Sequence, residues 1–275
     1  MSSRGRKPTA LPDLYESLGR KVSGAVRDFL EAPNEERTHD LRVAIRKWEM
    51  LAQYVPKRER SKQARRYKKR CERFLRLTSD VRDTDIIREK LSEHRGNTSV
   101  PSLLRDLELE RRRLVGESVR IARKLRDSKI PRLVLKREGE MWRSMENSLA
   151  DFGEEIPRQL SIVANDESRV KELHRLKKEA RRFRYLLEMM PQNKRTVRAC
   201  NSLRRLQDRL GEIRDSDVAL RYLEGVEASP GVLKLADGER EFRNFCYRRL
   251  VGAYSSGRRD PGQSFLAMAG LARSR

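Results

Sequence analysis

Residues Leu173–Met190 read LHRLKKEARRFRYLLEMM, which has the spacing of an amphipathic helix. At about 100° per residue, one apolar stripe collects Leu173, Leu176, Ala180, Phe183, Leu187 and Met190. The opposite face carries His174, Lys177, Lys178, Arg181, Arg184 and Tyr185, with Arg182 at its margin. Like charges one turn apart destabilise a helix. We therefore expect this face to be kept for a reason other than helix stability.

The same pattern occurs earlier in the chain, in the segment HDLRVAIRKWEMLAQYV at His39–Val55. Here an apolar stripe lies opposite His39, Arg42 and Arg46, and Lys47 follows Arg46. A second pair of similar segments comes after the two helices, VRDTDII at 81–87 and IRDSDVA at 213–219. Internal repeats of this kind indicate a duplicated structural unit.

The composition predicts affinity for a polyanion. The 64 Lys and Arg residues outnumber the 41 Asp and Glu residues, which gives a formal net charge of +23. The three cysteines are widely spaced and indicate neither a disulfide framework nor a zinc site. No apolar run approaches the roughly 20 residues of a membrane span, and no apolar signal segment follows the first basic residues. We expect a cytoplasmic protein that binds no membrane.

The periodicity predicts an all-α fold, since no window alternates as a strand would. Residues 1–10 are expected to be a basic disordered lead and 256–275 a loose tail, in which Phe265–Leu271 can form a short docked helix. The domain between them, 11–255, divides into repeats at about 11–135 and 136–255. Capping residues and a glycine predict helix interruptions at Ser79–Asp80 and Gly211–Arg214. The segment Glu154–Pro157 can bend the helix that opens the second repeat.

The two histidine helices, the RYLLEM ending at Arg184–Met189 and the segment LQDRLGEIRDSDV at Leu206–Val218 resemble the CHAD domain. This family is named for its histidine-bearing α-helices, and the resemblance covers Leu11–Tyr254. It implies two pseudo-symmetric antiparallel bundles of about four helices each, enclosing a basic groove or pore. It also implies binding of inorganic polyphosphate and association with polyphosphate granules, with no cofactor.

The first copy departs from the family pattern, because Lys47 and Glu49 stand where arginines are usual. Lysine keeps the charge but loses the bidentate fork of arginine, so we expect the first histidine helix to bind less strongly. A third basic element, Lys57–Thr78, adds further candidates for the groove. They are Arg65, Arg66, Lys69 and Arg73, with Arg205 on the equivalent helix of the second copy.

These residue types suit polyphosphate, which offers charge and oxygen acceptors but no bases. Basic side chains one turn apart, about 5–6 Å along the axis, can bind successive phosphates. Arginine donates in a planar fork and lysine as a point charge. The histidines add donors, and a neighbouring phosphate is expected to raise their pKa. Either histidine alone is also compatible with a capping or packing role.

Two other functions compete with polyphosphate binding. Non-specific binding of RNA or DNA is the first alternative, because the charge attracts any polyanion, although only 6% of residues are aromatic. A metal-dependent polyphosphate hydrolase is the second, with Asp83-x-Asp85 and Asp215-x-Asp217 as possible Mg²⁺ ligands. We expect these aspartates instead to begin helices and to pair with nearby arginines. The chain is therefore predicted to be a non-catalytic binding protein with no resident metal.

Overall fold

A computed structural model describes residues 10–94, 96–255 and 261–269 of the chain. Over these residues it is helical with no strand, which confirms the all-α class. The chain forms two compact units, Thr9–Trp142 (the first unit) and Arg143–Arg275 (the second unit). None of the described helices has the length and hydropathy needed to cross a membrane. Apart from Ala10, the predicted basic lead lies outside the described residues.

The first unit is built from four helices that pack in a closed ring. Helix α1 packs on α2 and α4, and α3 packs on α2 and α4. A 3-10 turn at Lys57–Glu59 separates α2 from α3. The four helices are α1 (Leu11–Glu31), α2 (Glu35–Ala52), α3 (Lys62–Ser92) and α4 (Val100–Arg126). This ring is compatible with the predicted pair of four-helix bundles, which stays a prediction.

Side-chain caps set where two of these helices begin. Asn34 accepts from the Arg37 backbone N–H at 2.9 Å and starts α2. Ser61 accepts from the Ala64 N–H at 3.0 Å and starts α3. Both caps satisfy backbone donors that have no partner inside the first turn of a helix.

Aromatic side chains form the centre of the core in the first unit. The Trp48 ring lies between Tyr15 and Tyr67, with ring centroids 5.4 and 5.0 Å away. Phe29 meets Phe74 edge to face at 5.3 Å. All five rings are almost completely buried. Contacts of this geometry add to the stabilisation that comes from apolar burial alone.

The second unit is organised on its longest helix. Helix α7 packs against α6, α8 and α9, while α5 adds Ile156, Leu160 and Val163 to the same core. Asn193 begins α7 with a reciprocal capping box to Thr196. The bounds of these helices are α5 (Glu138–Ala164), α6 (Val170–Met189), α7 (Lys194–Glu224), α8 (Pro230–Tyr254) and α9 (Pro261–Ala269).

Two predicted helix interruptions, at Ser79–Asp80 and Gly211–Arg214, are wrong, because α3 and α7 continue through them. Helix α5 is likewise continuous through Glu154–Pro157, where a bend stays a prediction. In α3 the Thr78 hydroxyl donates to the Phe74 carbonyl at 2.8 Å, and the buried stripe continues through Val81. In α7 the stripe likewise continues from Leu210 to Ile213. Pro157 lies inside α5 and is itself buried. Tertiary packing therefore outweighs the local preference of capping residues and proline.

Part of the predicted tail is a docked helix. The Phe265 side chain of α9 is fully buried and meets Tyr254 of α8, with ring centroids 6.1 Å apart. At Gly262 a Cβ atom would lie 2.3 Å from the Pro157 carbonyl oxygen, so α9 approaches α5 too closely for any larger residue. Residues 256–260 and 270–275 of the predicted tail lie outside the described residues.

Replacing Phe265 with alanine tests the docking of α9. Removal of a fully buried phenylalanine side chain usually costs about 3–5 kcal/mol, so we expect the free energy of unfolding to fall by that amount in urea titrations. Leu233→Ala on α8 is the control, because Leu233 is 55% exposed. Equal, small effects for the two variants would mean that α9 is not part of the core.

Candidate polyanion-binding surfaces

Helix α6 presents the predicted apolar stripe to the core and much of the predicted basic face outward. Leu173, Leu176, Ala180, Phe183 and Leu187 are buried. On the other face Lys178 and Arg182 are exposed, whereas His174, Lys177 and Arg181 are half-buried.

Two residues predicted for the basic face of α6 are not available there: Tyr185 is buried, and Arg184 is paired with neighbouring side chains. The Tyr185 side chain is only 3% exposed and belongs to the core, so its predicted role as a surface hydroxyl donor is wrong. Arg184 pairs with Glu188 at 2.7 Å, donates to Gln207 at 3.1 Å and stacks over the Tyr185 ring. The guanidinium of Arg184 therefore has internal partners on most of its sides.

A carboxylate on α7 holds the second histidine in place. Asp217 Oδ2 lies 2.9 Å from His174 Nε2, and Asp217 Oδ1 accepts from Arg243 Nε at 2.6 Å. Burial alone would raise the pKa of Asp217, but the hydrogen bonds from His174 and Arg243 outweigh it and lower that pKa. Because an ionised carboxylate only accepts, the facing Nε2 carries a proton. Nδ1 is then the His174 nitrogen left for a ligand.

The first unit contains the matching carboxylate–arginine pair. Asp85 on α3 accepts from Arg111 of α4 at 2.6 Å, just as Asp217 on α7 accepts from Arg243 of α8. The two partners are 26 residues apart in both units. The sequence predicts arginine partners for these aspartates without singling out Arg111 and Arg243, although the equal 26-residue spacing is a signal for both.

The histidine helix of the first unit differs from its counterpart. Arg42 is only 8% exposed and donates to the Leu75 carbonyl and the Thr78 hydroxyl of α3, so it ties α2 to α3 rather than facing a ligand. His39 is exposed, and Arg46 and Lys47 are half-buried. The α2 face therefore presents less exposed positive charge than the α6 face, and its weaker binding stays a prediction.

The most concentrated cationic surface in the first unit lies on α3. We call it the α3 stripe, and its members are Lys62, Arg65, Arg66, Lys69, Arg73 and Arg76, all exposed. Five of them follow helical i, i+4, i+7 spacing, which extends the stripe over about 20 Å. Within the described part of the chain none of the six forms an ion pair or a side-chain hydrogen bond.

Arg70, which follows Lys69 on α3, is not part of the stripe. Its guanidinium donates to the Lys124 carbonyl and the Ser128 hydroxyl at the end of α4. The neighbouring Lys68 pairs with Glu72 at 3.2 Å. The α3 stripe is thus set apart from basic residues that have internal partners.

The equivalent stretch of α7 borders an open surface depression of about 610 Å³. Lys194, Arg198 and Arg205 supply its cations, and Val197 and Asn201 interrupt them. Arg205 donates to the Ser202 hydroxyl at 3.1 Å, and Arg198 donates to the Ala267 carbonyl of α9 at 3.3 Å. The positive charge of this surface suits an anion, but the surface carries fewer cationic side chains than the α3 stripe.

The aspartate pairs considered as metal ligands lie in the middle of α3 and α7, so the prediction that they begin helices is wrong. Their predicted pairing with arginines is confirmed for Asp85, Asp215 and Asp217. Among the residues that the structure describes, no group of three or more His, Cys, Asp or Glu side chains is placed to hold a metal ion.

Comparisons with known proteins agree with the resemblance seen in the sequence. The family model for the CHAD domain matches residues 9–224. The fold is similar to the crystal structure of the CHAD domain from the plant Ricinus communis, with a TM-score of 0.62 and 14% sequence identity. That match covers 96% of this chain and 91% of the plant chain. No curated protein matches the sequence.

Glu49 makes the stability of the first unit depend on pH. Burial and the neighbouring Glu72 raise the pKa of this carboxyl to about 7, although Lys68 and Arg46 oppose them. The folded state then keeps a proton that the unfolded chain loses above its ordinary pKa of 4.5. We expect the free energy of unfolding to fall by about 2–3 kcal/mol as the pH rises from 5 to 8.

Glu49→Gln removes the titrating group and should remove this decline, which urea unfolding at several pH values measures. Glu89→Gln, an exposed carboxylate on α3, is the control and should keep the wild-type pH dependence. If the free energy of unfolding of Glu49→Gln falls with rising pH as steeply as that of the wild type, the Glu49 carboxyl is not protonated in the folded protein.

Proposed function

Because this chain belongs to the CHAD domain family, we propose that it binds inorganic polyphosphate on its exposed cationic helix faces without catalysing a reaction on it. The α3 stripe is the main binding surface of the first unit, and the α6 face with His174 is that of the second. Through this binding the protein associates with polyphosphate granules in the cytoplasm. A shared groove formed by both units stays a prediction.

The observation that carries the proposal is that the α3 stripe forms no ion pair with any residue that the structure describes. Each like-charged pair one turn apart costs a few tenths of a kcal/mol. Elsewhere on the surface, arginines such as Arg113 and Arg158 pair with neighbouring glutamates. A row of unpaired cations on rigid helix turns matches a ligand whose only repeating feature is a charged phosphate.

The α6 face adds a directed donor to this electrostatic surface. Asp217 fixes the His174 ring, so a protonated imidazole can donate from Nδ1 to a phosphate oxygen at no further ordering cost. Lys178 and Arg182 flank it as exposed cations. We therefore expect the histidine to add a hydrogen-bond donor to the cations of this face.

The hydrolase alternative needs carboxylates that are free to hold metal ions. Asp85 and Asp217 are instead engaged by Arg111 and Arg243 at 2.6 Å each. A cation placed beside either carboxylate would have to displace an arginine, half-buried at Arg111 and buried at Arg243. This pairing supports a binding role rather than phosphate release with Mg²⁺ or Mn²⁺.

Charge reversal on the α3 stripe tests the main surface. The variant Arg66→Glu/Lys69→Glu/Arg73→Glu should weaken polyphosphate binding about tenfold or more, and the slope of log K against log salt should fall by about 2, since fewer counterions are released. Fluorescence anisotropy with labelled polyphosphate gives both values. Circular dichroism and thermal melting should stay near wild type, because all three side chains are exposed.

The matched control reverses three exposed arginines on α4, Arg105, Arg120 and Arg123, and changes the net charge by the same amount. We expect it to retain most of the affinity. If both variants lose affinity equally, net charge alone attracts the ligand and the α3 stripe is not a site.

Nucleic-acid binding is the second candidate, and one observation favours it. Phe242 and Phe245 on α8 are 44% and 47% exposed, and Arg249 stacks over the Phe245 ring at 5.6 Å. Such an exposed aromatic pair next to a cation is a platform on which bases stack.

Competition between the two polyanions decides between the functions. We expect long single-stranded RNA at equal phosphate concentration to displace little labelled polyphosphate, because bases add bulk without adding charge. Efficient displacement that is lost in Phe242→Ala/Phe245→Ala would establish nucleic acid as the ligand instead.

A further inference from the structure

Helix α8 exposes an aromatic pair on its solvent side. Phe242 and Phe245 are 44% and 47% exposed, and their ring centroids lie 6.5 Å apart. Gly238 and Gly252 stand seven residues before and after Phe245, and a Cβ atom on either would meet nothing within 4 Å. Glycine destabilises a helix interior relative to alanine. Since the described part of the chain leaves this space empty, another molecule can approach α8 closely there.

The aromatic pair and the glycines belong to three parallel rows along α8, because residues seven apart have nearly the same angle on a helix. We call the three rows together the α8 face. They are a central row of Gly238, Phe245 and Gly252, one edge with Glu241 and Arg248, and the other edge with Phe242 and Arg249. All seven residues are exposed, and the face extends over about 20 Å of the helix.

The charge of the α8 face changes sign along the helix. Glu241 and Arg248 form no ion pair with any residue that the structure describes. Arg249 pairs with Glu212 of α7 at 3.3 Å and stacks over the Phe245 ring at 5.6 Å. The face is thus negative near its beginning and positive near its end. The same face running in the opposite direction is electrostatically complementary to it.

A second copy of the chain supplies that reversed face. A twofold axis at Phe245 places each row of one copy on the same row of the other with its ends exchanged, as in an isologous dimer. Glu241 then lies opposite Arg248 of the second copy, and Phe242 lies opposite its Arg249, which suits a cation–π contact. The two Phe245 rings meet at the axis, and the glycines let the helices approach closely. We propose that the chain forms an antiparallel homodimer through the α8 face.

Nucleic acid fits the α8 face less well, although the aromatic pair could stack on bases. Single-stranded nucleic acid is bound where stacking residues accompany a positively charged groove that follows the phosphates. Glu241 lies beside the aromatic pair and has no ion-pair partner among the described residues. Its carboxylate repels a phosphate backbone but attracts Arg248 of a second copy. Charge therefore favours the second copy as the occupant.

The dimer is independent of polyphosphate binding, because no residue of the α8 face belongs to the α3 stripe or to the α6 face. A contact between two single helices is at the small end of specific interfaces, and the net charge of +23 on each copy opposes it. We therefore expect a weak dimer, with a dissociation constant on the order of 100 μM.

Sedimentation equilibrium of the full chain tests for this dimer at about 10–500 μM protein and ~0.3 M salt, which screens the net charge. We expect the average mass to rise with concentration, and Phe245→Ala to raise the dissociation constant about tenfold or more. Leu233→Ala is the control, because Leu233 is exposed on α8 but outside the α8 face. A chain that stays monomeric throughout, or equal effects of the two variants, would overturn the proposal.

A charge exchange tests the antiparallel arrangement itself. Glu241→Arg and Arg248→Glu should each raise the dissociation constant about tenfold, since each places like charges opposite one another twice in the dimer. The double variant Glu241→Arg/Arg248→Glu restores opposite charges in exchanged positions and should return to within about threefold of the wild type. If the double variant is as weak as the single ones, with unchanged circular dichroism, the two helices do not pair in this arrangement and the proposal is wrong.

The same variants separate the dimer from a nucleic-acid surface. On a nucleic-acid surface Glu241→Arg adds a cation and should strengthen binding of single-stranded RNA, whereas on the dimer surface it weakens self-association. Tighter RNA binding by Glu241→Arg, together with a monomeric wild type, would assign the α8 face to nucleic acid and overturn the dimer.

Discussion

The Asp217 carboxylate is the interaction on which the second unit depends most. From the middle of α7 it joins His174 on α6 to Arg243 on α8, so one buried charge fixes three helices relative to one another. Removing one partner of a buried ion pair is strongly destabilising, because the other charge is left uncompensated. In the first unit Asp85 makes the matching bond between α3 and α4. A strongly basic chain thus uses its few buried carboxylates as cross-links.

This use of carboxylates explains how such a basic protein folds and still has cations for a ligand. Arg111 in the first unit is neutralised by Asp85, and Arg243 in the second unit is neutralised by Asp217. Arg42 is held by neutral acceptors at the junction of α2 and α3. The remaining charge is exposed on helix turns, where water screens repulsion. The α3 stripe is the clearest example of such exposed charge. Its like charges do not stabilise the helix, so folding stability does not explain why they are there.

The sequence predicted the helices and the buried face of α6 well, because periodic apolar residues report directly on burial. It failed where a polar side chain faces a neighbouring helix instead of solvent. Arg42 and Tyr185 have the right spacing for a basic face, yet the first bonds to Thr78 and the second is in the core. The false breaks at Ser79 and Gly211 have the same cause. The sequence gives the angular position of each residue around its own helix. Which of those positions are exposed to solvent depends on how the neighbouring helices pack.

The two histidine helices differ in their exposed charge, although each unit has an Asp–Arg bond between neighbouring helices. The Asp–Arg cross-link has the same 26-residue spacing in both units. On α2, however, Arg42 faces inward and Glu49 has a buried carboxyl, which leaves little positive charge for a ligand. The neighbouring α3 has the denser row of exposed cations, whereas Val197 and Asn201 interrupt the corresponding row of α7. In the first unit the densest row of exposed cations therefore lies on α3 and not on the histidine helix α2.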